Sequence, residues 1–388
     1  MEAAPLGEPG PRSDSRDVAP PRRKGHRRFS SGSDTDGGDN VGRLSDERVL
    51  SLRELNRALL DRQLLLGRRQ LGVQRAVERL CALQAQYSLS PYIALWSRLV
   101  GFRKEQLTGA LERRRVVKSS LFRITLHITS ARDYPYFAAA WLPAAQETTP
   151  RVTAKSIAQL SRKVSAAAKK PITHEQLESL AAEGMGGFRW RTRALAPPVH
   201  LPPSGTWRFH GRPELLAAQA WLGLDLPTRE EGAERIVRSY LAAFGPATQE
   251  DLLRFTGVRA GDLRPGLERL ELRRFRDERG RLLLDLARAP LPDGETPAPT
   301  RFLPKWDSSL LAYAPPERTR ILPEKYRQTV IRSNGDVLPT VLVDGFVAAT
   351  WDVNKKGELQ ITPVRRLTRS ERAEIDAEGA RLLEFVRD

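Results

Sequence analysis

Two glutamines, Gln84 and Gln86, stand two residues apart in the run Leu83-Gln84-Ala85-Gln86-Tyr87-Ser88-Leu89-Ser90-Pro91. A primary amide does not titrate near neutral pH, so neither residue can serve as a general base in the way Asp, Glu or His does. Its carbonyl can accept a hydrogen bond from water, and its dipole stabilises nearby positive charge. Such help suffices only when the leaving group is already activated. Taken alone, two such glutamines read first as surface or capping residues.

Backbone geometry decides whether the pair acts together. In a helix, positions i and i+2 diverge around the axis, whereas in extended chain they share a face. Pro91 biases Ser90 toward extended geometry, so a helix is expected to end near Gln86 and another to begin after Ser90. The leucine and valine spacing predicts helices over 52–66, 73–85, 91–99 and 104–113, then a strand pair around 116–117 and 123–128. Short helices closed by a hairpin follow the plan of a winged helix.

That plan recurs. A second cycle begins at Thr173, which forms a capping-box pattern with Gln176, and passes through helix 173–183 to a short strand at 207–210. The third cycle has helix 230–243, then Thr248 as N-cap of a short helix 249–255, helix 261–270, and a hairpin of 272–276 and 282–284 around Asp277-Glu278-Arg279-Gly280. Arg274 and Arg276 alternate with Phe275 there, giving the hairpin one basic face. Beyond a Pro-rich stretch the period becomes two, and Asp344-Gly345 marks a primed-turn hairpin. The expected architecture is a mostly helical α+β protein: a disordered tail (1–45), three tandem winged-helix modules (46–150, 151–228, 229–288), a linker (289–300), and a small antiparallel β-barrel-like region with a terminal helix (301–388).

Composition narrows the partners. Of 388 residues, 64 are Lys or Arg against 47 Asp or Glu, a net charge of +17. Residues 1–45 hold 8 basic and 7 acidic residues, so +16 belongs to the remainder. A basic folded region favours a polyanion, nucleic acid first, although arginine-rich composition alone contributes to such a balance. The basic cluster at 22–28 reads as part of a solvated tail. One cysteine, Cys81, and five scattered histidines exclude a multi-cysteine metal site and offer no ligand spacing, so no metal or other cofactor is expected. No apolar run reaches the 18 residues a membrane span needs, and no signal-peptide region opens the chain. A cytoplasmic, nucleoid-associated monomer without membrane or obligate protein partners is expected.

With these fragments in place, the chain resembles the AlkZ-like DNA glycosylases. The resemblance rests on Gln84-Ala85-Gln86, Phe122-Arg123-Ile124-Thr125-Leu126-His127, Phe244-Gly245-Pro246-Ala247-Thr248, Leu303-Pro304-Lys305-Trp306-Asp307 and Val343-Asp344-Gly345-Phe346-Val347, in family order over roughly 50–365. Gln86 places the chain in the Gln-x-Gln branch, where some members carry Asp at that position. Ile124 stands where a small residue is more typical.

The resemblance implies a monofunctional glycosylase with Gln84 and Gln86 as catalytic residues and double-stranded DNA carrying alkylated purines as substrate. It adds Arg123, His127, Lys305, Trp306 and Asp307 as possible pocket residues. A purine alkylated at N7 or N3 is cationic and leaves readily, which suits a site with amides and no titrating acid. On residues alone, His127 reads as a structural histidine, Trp306 as core of the C-terminal sheet, and Arg123 as a phosphate contact or a partner of Asp133. Arg98, Arg273, Arg274 and Arg276 are the candidate DNA contacts. A non-catalytic winged-helix regulator is the competing class.

Overall fold

The computed structural model describes residues 47–147, 153–185 and 198–387. The expectation of a disordered tail at 1–45 lies outside these residues.

The first helix, Leu52–Arg62, starts where the sequence says it should. Ser51 accepts from the Glu54 amide and Glu54 returns to the Ser51 amide, satisfying two of the helix's unpaired N–H groups. The next helix runs over Val73–Arg79, six residues shorter at its C-terminus than expected. Leu80 caps it, Cys81 takes a left-handed φ of 68°, and the chain turns into strand β2 (Leu83–Gln84). Sheet pairing overrides helix propensity there. Helices Ser90–Arg98 and Lys104–Glu112 follow, then the hairpin of β3 (Val116–Leu121) and β4 (Thr125–Ser130). Helices Tyr134–Glu147 and Ala154–Ala167 were not anticipated.

The second cycle is corrected by the structure. Helix His174–Met185 carries the expected capping exchange between Thr173 and Gln176, but 207–210 form a turn and an irregular stretch rather than a strand. Trp207 is engaged edge-on with Tyr92 and Phe385, at 5.3 and 5.7 Å between ring centroids, so packing rather than a ladder fixes it. The strands of this region are two-residue pieces, β5 (Val199–His200) and β6 (Leu215–Leu216). They extend the first hairpin into one five-stranded sheet of order β2-β4-β3-β5-β6.

The third cycle follows its punctuation closely. Helix Arg229–Phe244 precedes Gln249–Thr256, whose N-cap Thr248 exchanges bonds with Asp251, and Ala260–Arg269 leads into β7 (Leu272–Asp277) and β8 (Leu282–Leu286). Gly266 lies flat on the earlier helix: a Cβ there would stand 2.6 Å from the Ala233 carbonyl. Strand β1 (Val49–Leu50) runs parallel to β7, so the start of the described chain completes the third hairpin's sheet. The stretch 289–300 has no regular element and is pinned to the first helix. Arg57 donates to the Thr296 carbonyl at 2.7 Å and Arg62 to that of Pro290 at 2.9 Å.

The C-terminal region is an open sheet, not a barrel. Strands β9 (Arg301–Leu303), β10 (Thr340–Val343), β11 (Phe346–Val353) and β12 (Leu359–Pro363) form one antiparallel sheet of order β12-β11-β10-β9. Four strands are too few to close on themselves. Instead, the terminal helix Arg369–Arg387 supplies Ile375, Leu382, Phe385 and Val386 to the hydrophobic cluster that holds Phe302, Val341, Val343 and Trp351 of the sheet. The β10–β11 turn is Asp344 (φ 49°) and Gly345 (φ 81°), as the Asp-Gly pair predicts. Its tip abuts the first helix, where Asn56 donates to the Gly345 carbonyl at 2.8 Å.

Candidate active site

Strand β2 gives the glutamines their shared direction. Leu83 pairs with Ile128 and Gln84 with His127, and the Ala85 amide donates to the Leu126 carbonyl at 2.8 Å, continuing the ladder. Gln84, on the strand, and Gln86, in the bend that follows, both address the start of β4. The Leu126 amide donates to Gln86 Oε1 at 3.3 Å, and the Thr125 hydroxyl stands 3.5 Å from Gln84 Oε1. That hydroxyl has one proton and a nearer acceptor, the Phe122 carbonyl at 3.1 Å, so the Gln84 carbonyl keeps most of its accepting capacity. Gln84 is 7 % exposed, whereas Gln86 faces solvent.

Gln84 lines a narrow recess of about 10 Å³ together with Ser90, Pro304, Trp306, Asp307 and Ser308. This volume suits about one water molecule. Two distant segments meet there. Ser90 Oγ donates to the Lys305 carbonyl at 2.7 Å, fastening the helix after the glutamines to the turn after β9. Trp306 takes a left-handed φ of 57° and donates its indole N–H to the Gly335 carbonyl at 3.2 Å. It therefore edges the recess while packing, half-buried, against the hydrophobic cluster that holds Leu303, Leu342 and Val347 of the C-terminal sheet. Asp307 caps the helix Ser308–Leu311 through the Ser309 amide at 3.0 Å and is buried.

His127 is fully buried on β4, and burial, followed by the charge of Arg123, pushes its imidazole down to about 3. Its Nδ1 lies 3.0 Å from the Thr125 carbonyl, which assigns the proton to Nδ1 in the neutral ring, and Phe122 meets it edge-on. His127 is thus buried in the strand and does not line the recess beside Gln84. Lys305 pairs with Asp336 at 3.0 Å and lies over the Trp306 ring. Among the described residues, no group of His, Cys, Asp and Glu is arranged to hold a metal ion.

The AlkZ-like DNA glycosylase family model matches residues 77–385, which include all of these segments. The chain belongs to the AlkZ-like DNA glycosylase family. An interstrand DNA cross-link repair glycosylase of Streptomyces sahachiroi is 25 % identical over 336 residues, covering 78 % of this chain and 88 % of the relative. The structure of the Streptomyces sahachiroi DNA glycosylase AlkZ superposes with a TM-score of 0.74 at 20 % identity, over 87 % of this chain and 97 % of that one, so the two share a fold.

Within this AlkZ-like glycosylase, the arginines expected on DNA divide. Arg98 is 1 % exposed, with Nη2 on Asp307 at 2.9 Å and its other donors on the carbonyls of Gln63 and Ala94 at 3.0 Å. It is the floor beneath the recess, not a phosphate contact. Arg273 is held by buried Asp285 at 2.8 Å, where Arg62 also binds. Arg276 spends its guanidinium on Glu47 and on the Gly280 carbonyl. Arg274 alone of the four is exposed without a partner among the described residues. Arg123 does not reach Asp133, which pairs with Arg235; it donates instead to the Phe255 carbonyl at 2.6 Å. Ser308 went unnoticed in the sequence, and Ser90 was read there only as a boundary before Pro91.

Proposed function

We propose that this DNA glycosylase hydrolyses the N-glycosidic bond of cationic, bulky N-alkylpurines in duplex DNA. The observation that carries the reading is the Gln84 carbonyl bordering a recess the size of one water, whose carboxylate, Asp307, is engaged by Arg98 and by the Ser309 amide. A base already cationic departs as a neutral molecule, leaving an oxocarbenium-like sugar. Gln84 accepts a hydrogen bond from the attacking water and its dipole faces the developing charge; Gln86, exposed at the mouth, holds the sugar or the same water. Water adds to the anomeric carbon, its proton passes to solvent, and an intact abasic site remains. Lys305 is tied to Asp336, so no amine of the motif attacks the sugar in place of water.

The Streptomyces sahachiroi relative is named for interstrand cross-link repair, and we extend that lesion class to this chain, in repair or in self-resistance to an alkylating genotoxin. The recess beside Gln84 is too small to enclose a base, which suits bulky adducts left outside a tight pocket. The repeated helix-and-hairpin cycles act as three winged-helix modules that form one DNA-binding body, as a cytoplasmic monomer. A transcriptional regulator is disfavoured by the family and by the strands that link the cycles into shared sheets. The test is an excision panel in duplex DNA from pH 6 to 9. N7-alkylguanine and N3-alkyladenine are released as abasic sites at rates nearly independent of pH, while uracil, hypoxanthine and 8-oxoguanine stay. Release of uracil, or a steep single-proton profile, refutes the mechanism.

A further inference from the structure

The turn between β3 and β4 presents a cation that the chemistry above does not use. Arg123, at a left-handed φ of 56°, donates Nη1 to the Phe255 carbonyl at 2.6 Å with its guanidinium carbon 4.9 Å over the Phe255 ring. Nearly two hundred residues later, in the 3-10 turn Pro315–Arg320, Arg318 donates Nε to the Tyr313 carbonyl at 3.1 Å. Both carbonyls belong to one aromatic cluster. Phe244 lies 5.0 Å from Phe255 and 6.4 Å from Tyr313 between centroids. Two half-buried guanidiniums are therefore mounted on the same rigid base, each holding, among the described residues, a single hydrogen bond out of five available donors.

Neither guanidinium has a carboxylate partner among the described residues. Arg123 feels the charge of Arg318: burial first, and then Arg318, hold it down to about 10. Arg318 is lowered in turn by burial, then by Arg327 and Arg254. The outer pair is compensated, Arg327 by Glu324 at 2.6 Å and Arg254 more loosely by Glu250 at 3.8 Å, whereas the inner pair is not. Holding two like charges together away from water opposes folding, and an anion seated on both would offset that cost. Arg123 stands two residues before Thr125, whose hydroxyl lies 3.5 Å from Gln84 Oε1. In a DNA substrate, the anion delivered to that position is a backbone phosphate.

We propose that Arg123 and Arg318 form a seat for one phosphate flanking the damaged nucleotide, and so position its sugar against Gln84 and Gln86. The inference rests on the glycosylase reading above, but its test reads binding instead of excision. Duplexes containing a tetrahydrofuran abasic analogue are made with one neutral methylphosphonate at each linkage in turn around the analogue. At one flanking linkage, wild type loses about tenfold in affinity, while R318Q and R123Q, already weakened, lose nothing further there; this coupling is the signature of a direct contact. R318K keeps the charge and restores part of the coupling, and R318Q melts no lower than wild type because like-charge repulsion is relieved. If both arginines respond to every methylphosphonate as wild type does, or couple only to linkages remote from the lesion, the seat does not exist. Excision of N7-alkylguanine by wild type separately reports whether the glycosylase reading stands.

Discussion

Arg98 and Asp307 form a buried ion pair, 2.9 Å between Nη2 and Oδ1, across 209 residues of sequence. It joins the helix that follows the glutamines to the turn that follows β9, and both partners line the recess beside Gln84. Arg98→Ala leaves the Asp307 carboxylate buried and unpaired, at a cost of about 3–5 kcal/mol. The variant is expected to melt much lower than wild type, and Arg98→Met combined with Asp307→Asn to recover most of the loss. A melting temperature unchanged in Arg98→Ala would show the pair to be dispensable.

The β10–β11 turn admits only glycine at its second position. Gly345 has φ 81°, and a Cβ there would meet Asn56 Oδ1, Leu60 Cδ1 at 2.6 Å and Arg57 Nη1 at 2.8 Å. Gly345→Ala combines a left-handed strain with overpacking against the first helix, together about 2–4 kcal/mol. Urea unfolding measures it; a midpoint within error of wild type would mean the hairpin docks with slack.

Acid should weaken the protein through His127. Its folded-state value of about 3 lies below the ordinary value near 6.5. The unfolded chain thus takes up the proton first, and stability is full above about 6.5 and lost as pH falls toward 3. At pH 5 the loss from this residue is on the order of 2 kcal/mol. His127→Asn, which keeps a donor for the Thr125 carbonyl, should show a smaller fall in melting temperature between pH 7.5 and 5. Parallel falls in both proteins would assign acid sensitivity elsewhere.

DNA affinity should not depend on residues 1–45, which carry +1 of the +17. Removing them is expected to leave the slope of log affinity against log salt nearly unchanged. A collapse of binding on truncation would move the DNA contact to the cluster at 22–28.

What the sequence disclosed was mostly punctuation. Pro91 and the serines before it marked a break between helices near Gln86, Thr248 marked a helix start, and Asp344-Gly345 marked a turn, all local backbone preferences; that Gln84 lies on a strand and not at the end of the preceding helix was set by pairing with β4. Two-residue strands such as β5 and β6 have no periodicity to detect, and their place is set by the exposed edge of β3. Arg98 and Arg273 looked like surface charge because nothing local announces a carboxylate partner, distant in sequence for Arg98 and across the hairpin for Arg273. The barrel expectation failed for a related reason: alternation in the strands shows that one face is covered, and not that a terminal helix covers it.

The central claim is that Gln84 and Gln86 perform the chemistry without carrying the affinity. Single-turnover excision of N7-alkylguanine from duplex DNA, by wild type, Gln84→Ala and Gln86→Ala, tests it most directly. Each substitution is expected to slow base release by roughly 100-fold or more, about 2.7 kcal/mol of barrier, with duplex affinity changed little. Wild-type rates in the double variant would remove both glutamines from the mechanism.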